Sequence, residues 1–215
     1  MKLYVKPVGT IGTNCYIVVD ESGKCAVIDP GAQDEKLIDF LQVHNFKPEY
    51  ILLTHGHYDH IGAVKSILSK YDDCKLAIGK NDAEQLSDVT KSLATSRMMD
   101  EKDYIMAPDL LLADGDQLTV GSLTFSVIDT PGHTRGGVSY LCGDLLFSGD
   151  TLFCGDVGRC DLYGGDFATL QESLKKLAAL KGDYRVLPGH GPESTLDSER
   201  AQNPYMREHT DDGLY

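Results

Sequence analysis

The sequence predicts an α/β fold in which helices cover β-sheet, and three observations lead to this fold class. Short apolar runs rich in β-branched and aromatic residues alternate with helical patterns in both halves of the chain. Glycine-containing breaks separate the runs, without repeats or low-complexity tracts. With 215 residues, 41% of them hydrophobic, the chain is long enough to bury its own core. We therefore expect a single domain over residues 1–215 with interleaved strands and helices.

The first half of the chain is expected to begin with strands and then alternate. The predicted strands are Leu3–Val5, Cys15–Val19, Cys25–Ile28 and Tyr50–Leu53. One helix is predicted from about Asp34, and a second, continuous helix over Asp59–Tyr71, because apolar residues recur there at helical spacing. Residues 81–107 are expected to form helical pieces joined by loops.

The second half is expected to return to strands before it ends in helices. The predicted strands are Leu118–Val120, Leu123–Ile128, Val138–Cys142, Leu145–Phe147 and Arg185–Leu187. Asp166 is a typical N-cap residue, and it precedes a helix whose leucines share one face. A final helix is predicted over Ser194–Asn203.

Composition and charge exclude several classes of partner. The net charge of −13 disfavours nucleic acid, whose binding draws on Lys and Arg meeting phosphates, and it disfavours anionic membranes. No segment approaches the roughly 20 apolar residues of a membrane helix, and the start lacks a signal-peptide pattern. The six cysteines contain no C-x-x-C pair, which is typical of a reduced protein. We expect a cytoplasmic protein with a small-molecule partner.

Histidine and aspartate residues follow four of the predicted strands at the point where each strand ends. His55 follows the strand Tyr50–Leu53, and His133, Asp150 and His190 follow three later strands. In α/β folds, ligands gather beyond the carboxyl ends of strands. We therefore expect these side chains to converge.

The densest motif is the run H-x-H-x-D-H, which occupies residues 55–60. His55 and His57 can point the same way on an extended turn, while Asp59 and His60 open the next segment and can face a second ion. Imidazole and carboxylate groups suit zinc and similar cations. Burying such a cluster without partners would cost several kcal/mol, on the order of the penalty for unpaired polar groups. The motif therefore predicts a metal site.

Taken together, the motifs resemble those of the metallo-β-lactamase-fold hydrolases and, within them, the glyoxalase II branch. The motifs are Thr13-Asn-Cys-Tyr, Ile28-Asp-Pro-Gly, the H-x-H-x-D-H run, the three loops that carry His133, Asp150 and His190, and Asn203-Pro204. The resemblance implies a four-layered αβ/βα sandwich with the site at one edge of two facing sheets. It also implies that the C-terminal helical region of longer glyoxalase II enzymes is absent from this chain.

The resemblance further implies which residues hold which of two divalent cations. Each cation takes three residues, and one carboxylate bridges the pair. The first set is His55, His57 and His133, the second set is Asp59, His60 and His190, and the bridge is Asp150. Zinc is the expected metal, with iron and manganese as alternatives.

A dinuclear site of this kind predicts a hydrolase. Two divalent ions roughly 4 Å apart can lower the pKa of a shared water toward about 7, giving a hydroxide that attacks an acyl carbon. Asp59 is predicted to ligate the second ion and orient this nucleophile. By resemblance, the leading substrate is a thioester such as S-lactoylglutathione. A lactone or another ester presents the same electrophile and stays open.

Two other activities of the same fold are weighed against hydrolysis of a thioester. A persulfide dioxygenase uses one iron held by two His and one Asp, at positions that match His55, His133 and Asp150. The intact second set favours hydrolysis over this alternative. A β-lactamase of the best-known zinc class would typically carry Cys in place of Asp150 and Arg in place of His60, so that activity is disfavoured.

Two residues outside the ligand sets are further candidates. Asp29 either supports the metal motif from behind or forms a simple turn before Pro30. Arg159 either binds a carboxylate of the substrate or forms an ion pair with Asp161 or Asp156.

Overall fold

Two six-stranded β-sheets face each other in the computed structural model, which describes residues 1–33, 35–97 and 100–207. In the first sheet the spatial order of the strands follows the chain. Its strands are β1 (Lys2–Val8), β2 (Thr13–Val19), β3 (Lys24–Ile28), β4 (Lys47–Leu53), β5 (Lys75–Gly79) and β6 (Leu110–Leu112). The β1–β3 pairs are antiparallel, and the β3–β6 pairs are parallel.

The second sheet contains six further strands, in the order β14-β13-β10-β9-β8-β7. These strands are β7 (Gln117–Val120), β8 (Leu123–Asp129), β9 (Val138–Cys142), β10 (Leu145–Gly149), β13 (Arg185–Pro188) and β14 (Ser194–Thr195). A separate two-stranded hairpin consists of β11 (Leu152–Phe153) and β12 (Asp156–Val157). Within the second sheet, β10 and β13 pair in parallel and the other neighbours pair antiparallel.

The helices are short apart from α4. They are α1 (Glu35–Val43), α2 (Tyr58–Ile61), α3 (Val64–Leu68), α4 (Phe167–Ala178) and α5 (Leu196–Gln202), with 3-10 helices at Lys80–Leu86, Ala94–Arg97 and Glu101–Asp103. As predicted, Asp166 caps α4, because its carboxylate accepts a hydrogen bond from the Thr169 N–H (2.7 Å). The predicted helix start at Asp34 lies outside the described residues. Among the described helices, none has the length and apolar character that crossing a bilayer requires.

Alternating residues of β2 show how the layers are arranged. Cys15, Ile17 and Val19 pack against α1 and α3 on the outer face of the first sheet. Tyr16 and Val18 point the other way, into the core between the two sheets. On the far side, α4 and α5 cover the outer face of the second sheet. The α/β prediction and the four-layered αβ/βα sandwich are therefore confirmed.

Every predicted strand is present. The hairpin strands β11 and β12 were not predicted, and neither were β5 and β6 of the first sheet. Both are short and apolar, and periodicity alone does not separate such runs from pieces of helix. The predicted helix over Ser194–Asn203 begins later, at Leu196. Residues 194–195 pair with β13 instead, and the Thr195 hydroxyl caps the helix by accepting the Ser198 N–H (3.2 Å).

The prediction of one continuous helix over Asp59–Tyr71 is wrong, because the chain divides there into α2 and α3. At the break, the Ala63 N–H donates to the carbonyl of Pro30 (2.8 Å) instead of continuing the helical ladder. The loop after β3 is pressed into this break so closely that a Cβ atom at Gly62 would lie 2.5 Å from the Gly31 carbonyl oxygen. A contact between distant segments therefore overrides the local helical pattern.

Replacing Gly31 tests this close packing. A Cβ atom at Gly31 would overlap the carbonyl group of Asp59, so Gly31→Ala should lower the free energy of unfolding by at least about 3 kcal/mol. Gly12→Ala is the control, because among the described residues a Cβ there meets no further atom within 4 Å. Its left-handed backbone should cost about 1 kcal/mol. Urea denaturation compares the two variants, and equal stability would contradict the packing.

Candidate metal centre

All seven predicted ligands lie at one edge of the facing sheets, where four strands end. The H-x-H-x-D-H run follows β4, His133 lies in the loop after β8, Asp150 follows β10 directly, and His190 lies two residues after β13. The sequence-based expectation that these side chains converge agrees with their placement in the structure. Their ligand atoms form three overlapping groups.

The first group consists of His55, His57 and His133, whose potential ligand atoms lie within 4.8 Å of one another. His133 Nε2 is 3.0 Å from His57 Nδ1. The ring centroid of His55 lies 4.7 Å from that of His57 and 4.8 Å from that of His133. All three side chains are buried. Three imidazoles that converge on one point are the donor set of a borderline divalent cation.

The second group consists of Asp59, His60 and His190, again with ligand atoms within 4.8 Å of one another. Asp59 Oδ2 lies 3.1 Å from His190 Nε2 and 3.3 Å from His60 Nε2. The Thr13 hydroxyl donates to the same oxygen (3.0 Å) and fixes the carboxylate from the side of β2. This group can hold a second cation through one oxygen and two nitrogen atoms.

Asp150 lies between the two groups and contacts both. Its Oδ1 is 3.5 Å from His60 Nε2, and its Oδ2 is 3.6 Å from both His133 Nε2 and His190 Nε2. It also forms a third potential ligand group, together with His55 and His60. A carboxylate in this position can bridge two cations.

Several buried atoms at this edge lack partners. Within the part of the chain that the structure describes, six buried side-chain polar atoms have no hydrogen-bond partner. Four of these atoms are His55 Nε2, His57 Nε2, His60 Nε2 and Asp150 Oδ1. Buried polar atoms are nearly always satisfied in native proteins, so a cluster of exceptions calls for a ligand. Nitrogen lone pairs and a carboxylate oxygen are donors that a cation would satisfy.

Asp29 lies behind the site and supports two of its histidines. Its carboxylate accepts the Thr54 N–H at Oδ1 (2.8 Å) and the Thr54 hydroxyl at Oδ2 (2.6 Å), and Oδ2 also contacts His60 Nδ1 (2.9 Å). Because the Thr54 hydroxyl proton points to Asp29, Thr54 Oγ1 is left to accept from His55 Nδ1 (3.1 Å). Both Nδ1 atoms are therefore occupied, and both Nε2 atoms face the site.

Arg159 contributes to the site through its backbone. Its carbonyl oxygen lies 2.7 Å from His133 Nδ1 and accepts that N–H, so the lone pair of His133 is on Nε2, the atom that lies 3.0 Å from His57 Nδ1. Its guanidinium donates twice to Asp161, at 2.6 and 2.7 Å, with 62% of the side chain exposed. The side chain thus forms the ion pair that was weighed as an alternative. A contact with substrate stays a prediction.

Three residues that tie the sheets together beside the site had no role in the sequence analysis. Asn14 Nδ2 donates to the carbonyl of Pro188 (3.1 Å), and the Tyr16 hydroxyl donates to the same oxygen (2.7 Å). The Tyr140 hydroxyl donates to the carbonyl of Leu53 (2.7 Å) at the end of β4. The motif Thr13-Asn-Cys-Tyr was the one available signal, and it carried no indication of these contacts.

The histidines differ in their affinity for protons. Burial lowers the pKa of His55 well below its usual range and, together with nearby His133, lowers the pKa of His57 to about 3. Burial also acts to lower the pKa of His60 and His190, but neighbouring carboxylates outweigh it and raise both values. Partial burial acts to raise the pKa of the Asp59 carboxyl, yet those two imidazoles hold it well below the usual range.

This difference predicts two protonation states side by side. In protein freed of metal with a chelator, we expect His57 to stay neutral at pH 5 and His60 to carry an imidazolium charge at pH 7. Two-bond ¹H–¹⁵N correlation spectra distinguish the two forms. Asp29→Asn should lower the pKa of His60, because it removes one of the carboxylates that favour the charged ring. A neutral His60 in the unmodified protein would contradict this electrostatic account.

Comparison with known proteins agrees with this geometry. The sequence profile of the Metallo-beta-lactamase superfamily matches residues 8–190. The probable metallo-hydrolase YqgX of Bacillus subtilis is 38% identical over 210 residues, which are 96% of this chain and 98% of YqgX. The hydroxyacylglutathione hydrolase GloC of Haemophilus influenzae is 30% identical over 217 residues, covering 96% of this chain and 98% of GloC.

Solved structures show the same likeness. The BLEG-1 B3 metallo-beta-lactamase superposes with a TM-score of 0.88 at 35% identity, covering 96% of this chain and 100% of that one. TTHA1623 in a di-iron-bound form superposes with a TM-score of 0.81 at 36% identity, covering 94% of this chain and 99% of that one. ETHE1 from Myxococcus xanthus superposes with a TM-score of 0.80 at 26% identity, covering 95% of this chain and 84% of that one. The profile match, the relatives and the shared fold together place this chain in the metallo-β-lactamase superfamily.

Proposed function

We propose that the protein is a hydrolase that uses two divalent cations, zinc in the first instance, to cleave a small-molecule thioester. The observation that carries the proposal is the pair of three-residue groups joined by Asp150. A structural zinc site is usually closed and rich in cysteine, whereas this one combines imidazoles with shared carboxylates. The partly exposed side chains of Asp59, Asp150 and His190 give it access to solvent.

The seven residues divide between the two cations as the resemblance implies. The first cation would be held by His55, His57 and His133, the second by Asp59, His60 and His190, and both by Asp150. The unpartnered nitrogen and oxygen atoms at this edge fit such a pair. When bound, two cations of this kind polarise an acyl carbonyl and make water a nucleophile near neutral pH.

The residues of the chain would contribute orientation and proton handling. Asp59 is ionised, and Thr13 and His190 fix one of its oxygens, so its carboxylate can accept a hydrogen bond from the attacking water. Asp29 and the Arg159 carbonyl hold three rings with their Nε2 atoms toward the centre. Prepositioning of this kind lowers the reorganisation that the reaction requires.

Support for a thioester substrate comes from the likeness to GloC, which is named a hydroxyacylglutathione hydrolase. The Arg159 guanidinium is our candidate for binding a carboxylate of such a substrate. It would have to exchange its present partner, Asp161, for the substrate, and its exposure permits that exchange. Zinc is the first choice of metal, and the di-iron form of TTHA1623 makes iron the principal alternative.

The proposal is tested by metal analysis and parallel assays of the purified protein. We expect about two cations per chain, and hydrolysis of S-lactoylglutathione that a chelator abolishes and added Zn²⁺ restores. Homoserine lactone and nitrocefin, a β-lactam, serve as competing substrates, the latter because of the likeness to BLEG-1. If the protein instead binds one iron per chain and forms sulfite from glutathione persulfide, the proposed hydrolase function is wrong and the protein is a dioxygenase.

His190→Ala separates the two activities further. Because His190 belongs to the second group, its loss should reduce binding to about one cation and lower kcat for the thioester by about 100-fold or more. A dioxygenase with one iron at His55, His133 and Asp150 would not need this residue. Sulfite formation that persists in the variant would therefore count against the hydrolase. Asp161→Asn, outside both groups, is the control and should retain both cations.

A further inference from the structure

The 3-10 helix Lys80–Leu86, called the supporting helix below, contacts both loops that carry the first group of histidines. Its Asp82 side chain is buried, with 1% exposure, and both carboxylate oxygens are used. Oδ2 accepts the Thr134 hydroxyl and Oδ1 accepts the Gly136 N–H, each at 2.6 Å. Thr134 directly follows His133, so Asp82 fixes the loop after β8 at its ligand.

Gln85, on the same helix, fixes the other loop. Its Oε1 accepts the N–H of Gly56 at 2.9 Å, and its side chain is 2% exposed. Gly56 lies between His55 and His57 in the chain. One hydrogen bond therefore holds the peptide that connects two of the three imidazoles of the first group.

Tight backbone packing reinforces both contacts. A Cβ atom at Gly56 would lie 2.5 Å from Gln85 Oε1, and a Cβ atom at Gly136 would overlap the backbone at Asp82. The two loops thus rest directly on the supporting helix, with no room for a side chain in between. A shift of this helix would move both loops with it.

From these contacts we infer that Asp82 and Gln85 are positioning residues, which hold His55, His57 and His133 at the spacing that one cation requires. The inference rests on the metal-binding part of the proposed function, and it does not depend on the substrate. It concerns the first group alone, because Asp59 of the second group is fixed from β2 by Thr13.

The chemistry of Asp82 favours positioning over simple stabilisation. Its hydrogen-bond partners are a hydroxyl and an amide, neither of which carries charge. Burial raises the pKa of this carboxyl to about 6, although the hydrogen bonds act to lower it. A buried carboxylate paired with neutral donors costs free energy of folding. What Asp82 contributes is therefore two short hydrogen bonds that hold the loop after β8.

The test is titration of the metal-free protein with Zn²⁺ against a chromophoric chelator, with Co²⁺ absorption spectra as a second readout. We expect Asp82→Ala and Gln85→Met to weaken one of the two binding steps about tenfold or more and to alter its Co²⁺ spectrum. The step affected should be the one that His133→Ala abolishes. The other step should stay within about twofold of the wild-type value, because different residues hold the second group in place.

Three variants serve as matched controls. Glu84→Gln changes a carboxylate of the same helix whose partners are Lys91, Tyr163 and, at 3.7 Å, the exposed guanidinium of Arg135. Because Gln retains an acceptor for these groups, the variant should leave both steps unchanged. Thr13→Val should weaken the other binding step, that of the second group, because it removes the hydrogen bond that fixes the Asp59 carboxylate. Asp82→Asn retains an acceptor for the Gly136 N–H and should restore much of the lost affinity, which also covers the case in which Asp82→Ala fails to fold.

The outcomes distinguish this inference from the proposed function. Two wild-type binding steps in both Asp82→Ala and Gln85→Met would overturn the positioning role and leave the hydrolase standing. Equal weakening of both steps, accompanied by a lower melting temperature of the metal-free protein, would also overturn it. Selective loss of one step in a protein without thioesterase activity would support the positioning role while the proposed substrate fails. A wild-type protein that binds no cation would overturn both.

Discussion

The structure depends on holding seven polar side chains together at the edge of two sheets, where several of their atoms have no partner. Imidazoles and carboxylates gathered this closely do not stabilise a fold by themselves, because unpartnered buried groups cost free energy. The surrounding apolar core has to offset that cost. Three clusters of buried side chains, one between the sheets and one on each outer face, provide the required framework.

Contacts that cross between the sheets transmit this framework to the site. The Tyr140 hydroxyl reaches the end of β4 from the second sheet, and the Val138 N–H donates to the carbonyl of Thr54 (2.8 Å). In the opposite direction, Asn14 and Tyr16 of the first sheet hold the end of β13. The ends of β4 and β13 are thus held by hydrogen bonds from the facing sheet. The site is consequently a property of the whole sandwich.

Sequence reasoning located the candidate ligands but not the residues that support them, for a physical reason. His and Asp at strand ends are visible locally, because both the strand and the residue after it lie in one short window. Asp82 and Gln85 act on loops far away in the chain, and no local pattern distinguishes them from ordinary residues of a helix. The break between α2 and α3 was missed for the same reason, since the carbonyl that causes it belongs to Pro30. The sequence around Asp29 is compatible with a simple turn and with a supporting role, and only its contacts with Thr54 and His60 in the structure distinguish the two.

The position of His190, two residues after β13, implies an order in which the proposed centre is assembled. Protein synthesis proceeds from the N-terminus, so His55, His57 and His133 are all made before β13 exists. On the proposed assignment, a nascent chain still on the ribosome has a complete donor set for one ion and an incomplete set for the other. The second position closes when β13 pairs with β10. On the same proposed assignment, a dinuclear state can form only after translation has passed His190.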